Sequence, residues 1–125
     1  RSRRRTAQMI AYFDTSAVVP LLIAERGSDG AASLWESADR VVSVRLTYPE
    51  TRAALAQAQR LGRLTTRHLR HAVGEFEALF GEIDVVEVDE TLARRAGELA
   101  AFHQLHGYGA VHLAAAERSM IQMSS

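Results

Sequence analysis

The chain has 125 residues, 47% of them apolar, which suffices for one domain with its own core. It contains no cysteine, which excludes disulfide frameworks, thiolate zinc centres and cysteine nucleophiles and points to a cytoplasmic setting. All fifteen basic residues are arginine, so amine chemistry, whether a phosphate-loop lysine or a Schiff base, is excluded too.

The formal net charge is zero, yet four of the arginines crowd into RSRRR at the start. Residues 1–8 read as an Arg-rich extension, a tag or upstream read-through ahead of Met9, and residues 9–125 as a single domain. The other reading of the tuft is a phosphate-binding arm. Without it the domain is mildly acidic, so contacts to RNA would depend on local arginines or a metal rather than on net charge. No apolar run is long enough to cross a bilayer, and no membrane partner is expected.

In chain order, MIAYF (residues 9–13) is a short apolar strand ending at Asp14, and TSAVVPLLIAE has helical spacing, with Pro20 expected to delay or kink it. GSDGAASLWESA reads as a second helix with Leu34 and Trp35 turned inward. RVVSV is a β-branched strand. LTYPETRAALAQAQRLG and TTRHLRHAVGEFEALFG are helices closed by Gly62 and Gly81. IDVVEV is a third strand. DETLARRAGELAAFHQLHG is an amphipathic helix from Asp89 to Gly107, GYGAVHLAAAE a buried last helix carrying Ala110, Val111, Leu113, Ala114 and Ala115, and IQMSS a tail. Nearly all-apolar strands separated by helices predict an α/β fold, a parallel sheet covered on both faces, with ligands at the carboxyl ends of the strands.

Asp14 follows the first strand and precedes a helix. It is either an N-cap or a carboxylate offered to a ligand. Thr47 and Glu50 have the T-x-x-E spacing of a capping box, with Pro49 in the first turn, so Glu50 is either a cap or a second functional carboxylate. Ser43 ends the second strand as a turn residue or a hydroxyl facing the same crevice. The pairs His68/His71 and His103/His106 share helix faces but lack a third ligand for zinc, and His112 in the last helix is a core histidine or one that backs a ligand. Should Asp14 and Glu50 meet about 4 Å apart, they repel by roughly 4 kcal/mol at an effective dielectric near 20. A divalent cation reverses that sign, and hard ions such as Mg²⁺ take carboxylates together with phosphate oxygens.

The segments IAYFDTSAVVPLLIAERGS, VVSVRLTYPETRAAL, VDETLARRAGELA and LHGYGAVHLAAA, in this order and spacing, resemble the PIN-domain ribonucleases, specifically the VapC toxins of VapBC toxin–antitoxin pairs. The resemblance covers roughly residues 9–117. It implies a PIN-like parallel α/β fold, cleavage of RNA dependent on Mg²⁺ or Mn²⁺, a cognate VapB-type antitoxin that blocks the acidic pocket, and a homodimer or toxin–antitoxin hetero-oligomer. It also implies that Asp14 and Glu50 are the first two metal-binding carboxylates and that Ser16 and Ser43 are hydroxyls lining the pocket. The family's third carboxylate opens the last helix in the pattern G-Y-D-A-V-H-L-A, and here that position is Gly109.

A fourth acidic position, after a further C-terminal strand, has no counterpart, so that strand is expected to be missing or altered, with SMIQM or a second copy covering the bared edge. The expectation is an RNA-cleaving scaffold weakened or inactivated by Gly109. The competing reading is a catalytically dead binding module that keeps its antitoxin. A haloacid-dehalogenase-type hydrolase fits poorly, because it needs a second aspartate where Ser16 stands and a lysine.

Overall fold

The computed structural model describes residues 8–124, with side chains as far as Met120. The Arg-rich start therefore lies outside the described residues. The order is β1 (Ile10–Tyr12), α1 (Thr15–Leu22), α2 (Ser28–Ser37), β2 (Arg40–Val44), α3 (Thr47–Arg60), α4 (Thr66–Phe80), β3 (Asp84–Val86), α5 (Glu90–His103) and α6 (Gly107–Ser124). The three strands form one parallel sheet in the order β1-β2-β3, with Tyr12 paired to Val42 and Ser43 to Val85.

Alternation along the strands divides the core into two layers. Ala11, Phe13 and Val41 pack with Val18, Phe76 and Phe80 under α1, α2 and α4. Tyr12, Val44 and Val86 face the other way, onto Leu92, Ala96, Leu99, Ala110, Ala114 and Ala115 of α5 and α6. The first layer is aromatic: Tyr48 stacks on Phe76 at 5.3 Å, and Trp35 meets Phe13 edge-on at 5.7 Å. The second is built largely from alanines, which lets α6 lie close to the sheet.

Several local expectations change. Trp35 packs inward as expected, but Leu34 is exposed, because α2 buries only one narrow stripe against Phe13. Helix α5 ends at Gln104, a non-glycine residue in the left-handed conformation (φ 56°), rather than at Gly107, which instead opens α6. Pro20 sits buried inside α1, which starts at Thr15 and runs two residues past it, so the proline does not delay the helix start. In α6, Leu113 is 41% exposed, since Ala110, Ala114 and Ala115 take the sheet-facing stripe. The segment SMIQM does not add a strand: it continues α6, and among the described residues no strand follows β3. No described helix is long and apolar enough to cross a membrane.

Candidate metal centre at the carboxyl edge of the sheet

The chain leaves β1 at Phe13, and Asp14 turns it into α1 with extended backbone (φ −87°, ψ −178°). Asp14 Oδ1 accepts the Ala17 N–H at 3.1 Å and the Ser16 hydroxyl at 2.6 Å. Among the described residues Oδ2 accepts no hydrogen bond. The two readings of Asp14 are therefore compatible: capping uses one oxygen and leaves the other for a ligand.

Glu50 resolves differently. Helix α3 is entered through Leu46 with no side-chain cap, so the Thr47–Glu50 capping box does not form. Thr47 is instead buried, with Oγ1 2.7 Å from Ser43 Oγ. Released from capping, Glu50 turns toward α1 and α6. Its Oε1 accepts the Thr15 hydroxyl at 2.6 Å and meets His112 Nε2 at 2.8 Å, while Oε2 takes no hydrogen bond among the described residues. The glutamate side chain is 22% exposed and the histidine 14%.

Thr15 directly follows Asp14, so its bond to Glu50 links the two acidic residues that lie far apart in the chain. Electrostatics agree. The Tyr12 phenol is held well above its ordinary range, first by burial and then by the negative charges of Asp14 and Glu50, opposed only in part by Ser43. Both carboxylates thus lie within electrostatic reach of one hydroxyl. Tyr12 also closes the cluster, its OH 2.9 Å from His112 Nδ1 and its ring edge-on to the imidazole at 5.9 Å.

Ser43 and Ser16 have distinct places. Ser43 is fully buried and donates to the Phe13 carbonyl at 2.6 Å, which ties the end of β1 to the end of β2, and its contact with Thr47 Oγ1 extends the tie to the start of α3. Ser16 is exposed and donates to Asp14. Gly109 lies in the first turn of α6, three residues before His112 and so on the same helix face. A Cβ added there meets no atom within 4 Å. Among the described residues no three of His, Cys, Asp or Glu gather as a metal-binding group.

The remaining histidines stay on the surface, His71 beside Glu75 at 3.7 Å and His103 and His106 exposed near the α5–α6 turn. An apolar hollow of about 530 Å³ lies between Tyr48 and Pro49 of α3 and Tyr108 and Val111 of α6. Sequence reasoning passed over Tyr12 and Thr15. The available signal was a polar-tipped aromatic at the end of an apolar strand, which needs a hydrogen-bond partner once buried.

A PIN-domain family model matches residues 11–122. The chain is 46% identical over 107 residues to ribonuclease VapC45 and to ribonuclease VapC49, both of Mycobacterium tuberculosis, a match spanning 86% of this chain and 74% of each relative. Two solved structures share the fold. A toxin–antitoxin complex from Klebsiella pneumoniae superposes with a TM-score of 0.65 at 17% identity, covering 88% of this chain and 80% of that one. Mycobacterium tuberculosis VapC20, titled a sarcin–ricin loop cleaving toxin, gives 0.64 at 23%, covering 88% and 82%. The chain belongs to the PIN-domain family, and within it to the VapC ribonucleases.

Proposed function

We propose that this chain is the toxin of a type II toxin–antitoxin pair, a divalent-metal-dependent endoribonuclease scaffold whose activity is weakened or lost because glycine occupies position 109. One observation carries the reading: Asp14 and Glu50 are linked through Thr15, and each keeps one carboxylate oxygen free of hydrogen bonds. Oxygen donors of this hardness fit Mg²⁺ or Mn²⁺, with Asp14 and Glu50 as the residues that hold it. A bound ion of this kind supplies Lewis-acid polarisation of a phosphodiester and a more acidic water.

The protein's own part is to fix the donors. Ala17 N–H and Ser16 orient Asp14; Thr15 and His112 orient Glu50. Its partners are RNA as substrate and a VapB-type antitoxin, within a homodimer or a toxin–antitoxin hetero-oligomer. A second reading, a catalytically silent scaffold that still binds its antitoxin, is favoured by the lack of a third acidic or histidine ligand among the described residues.

Gly109→Asp decides between the weakened site and a wrong assignment. The position has room for the side chain, and a carboxylate in the first turn of a helix is electrostatically welcome. Discounting the Coulomb gain for exposure to about 1.4 kcal/mol predicts about tenfold tighter Mn²⁺ binding by calorimetry. RNA cleavage should appear or rise with it, and adding Asp14→Asn should abolish both. Unchanged affinity in Gly109→Asp would mean that residue 109 does not face the carboxylates.

A further inference from the structure

The polar chain Tyr12–His112–Glu50–Thr15 has a readable proton order. A carboxylate only accepts, so the Thr15 O–H and a proton on His112 Nε2 both point at Glu50 Oε1, at 2.6 and 2.8 Å. In a neutral imidazole that assignment leaves Nδ1 as an acceptor. Tyr12 OH stands 2.9 Å from it and can donate.

We propose that Tyr12 is a positioning residue: its hydroxyl locks His112 as the Nε2–H tautomer, and His112 with Thr15 then ties down Oε1 of Glu50, leaving Oε2 as the oxygen offered to a cation. Only the last clause rests on the metal-ligand reading of Glu50. The tautomer and the tether belong to the metal-free protein. Partners of this kind behind a ligand set its orientation, and their loss commonly weakens metal binding about tenfold or more.

Three side chains from three elements make the device, and each has a separate duty. Tyr12 sets which ring nitrogen carries the proton, His112 converts that choice into a donor aimed at α3, and Thr15 adds a second donor on the same oxygen. Were Nδ1 to carry the proton instead, Nε2 would present a lone pair to the carboxylate, and the two would repel.

The test starts with ¹⁵N-labelled, metal-free chain. Ring-nitrogen correlations, with the His112 signals assigned through His112→Gln, should show a protonated Nε2 and an unprotonated Nδ1. Tyr12→Phe should move His112 toward a mixture of tautomers and weaken Mn²⁺ binding severalfold. His112→Gln, which keeps an N–H donor for Oε1, should bind Mn²⁺ close to the native level, whereas His112→Leu should lose about tenfold.

A native ring protonated on Nδ1 or on both nitrogens overturns the proposal. So does a Tyr12→Phe ring signature identical to native, or equal Mn²⁺ binding by the Gln and Leu variants. If neither the native chain nor Gly109→Asp binds Mn²⁺ while the ring pattern is as expected, the metal reading falls and the tether stands on that pattern.

Discussion

The Thr51 hydroxyl is fully buried in α3, one residue beyond Glu50, and finds no hydrogen-bond partner among the described residues. Its methyl group and helical backbone suit the site, so the defect is confined to one oxygen. An unpaired buried hydroxyl costs about 1–3 kcal/mol, and valine keeps the shape without it. Thr51→Val should therefore stabilise the fold by about 1 kcal/mol, read as a higher urea midpoint with an unchanged slope. A lower midpoint would show that the hydroxyl has a partner. The same residue-scale accounting bears on Asp14, where position alone could not choose between cap and ligand: Oδ1 takes both hydrogen bonds of the cap, and Oδ2 takes none among the described residues.

Helix ends carry the charge arrangement at the scale of elements. Asp89 caps α5 by accepting the Leu92 N–H at 2.8 Å and also holds Arg118 of α6 at 2.9 and 3.1 Å. The Arg118 guanidinium, helped by the Leu92 N–H, pulls the Asp89 carboxyl from its ordinary 3.8 to about 2. A depressed carboxyl favours the folded state fully above the unfolded value and loses that contribution as the pH falls through the folded one. The α5–α6 pair should therefore weaken between pH 3.8 and about 2. Asp89→Asn keeps the cap but neither the ion pair nor the linkage, so its urea midpoint should fall less over that window. Parallel acid profiles for the two proteins would refute this account. The expected helix start at Asp89 needed only its neighbours, whereas the stop at Gln104 did not follow from the nearest glycine.

Across the whole molecule, the contrast between the two layers decides where the site can form. Aromatic side chains set the spacing on the α1, α2 and α4 face, whereas Ala96, Ala110, Ala114 and Ala115 let α5 and α6 settle close to the sheet. That closeness brings His112 onto both Tyr12 and Glu50. Ala114→Leu should force α6 outward, at a cost of about 1–3 kcal/mol from overpacking. It should also release His112, seen as a change in its ring-nitrogen signals together with the lower urea midpoint. Loss of stability with an unaltered ring signature would show that the helix tolerates the bulk by bending elsewhere.

What the sequence determined by itself was local. The order of strands and helices and the helix starts after Asp14 and at Asp89 follow from residues a few positions apart, which interact along one helix turn or one strand whatever the rest of the chain does, and nearly all-apolar strands between helices implied the parallel α/β arrangement. The expectation of a missing ligand at Gly109 came from a motif alone. The tertiary structure alone decided the work of Glu50 and His112, because the bonds concerned join residues 35, 62 and 100 positions apart. A capping box satisfies Glu50 on paper, but it must compete with partners brought in by packing. Here Thr47 is drawn to buried Ser43 and Glu50 to Thr15 and His112. Spacing identifies what a side chain can reach within its own helix, and only the assembled core shows which available partner it takes.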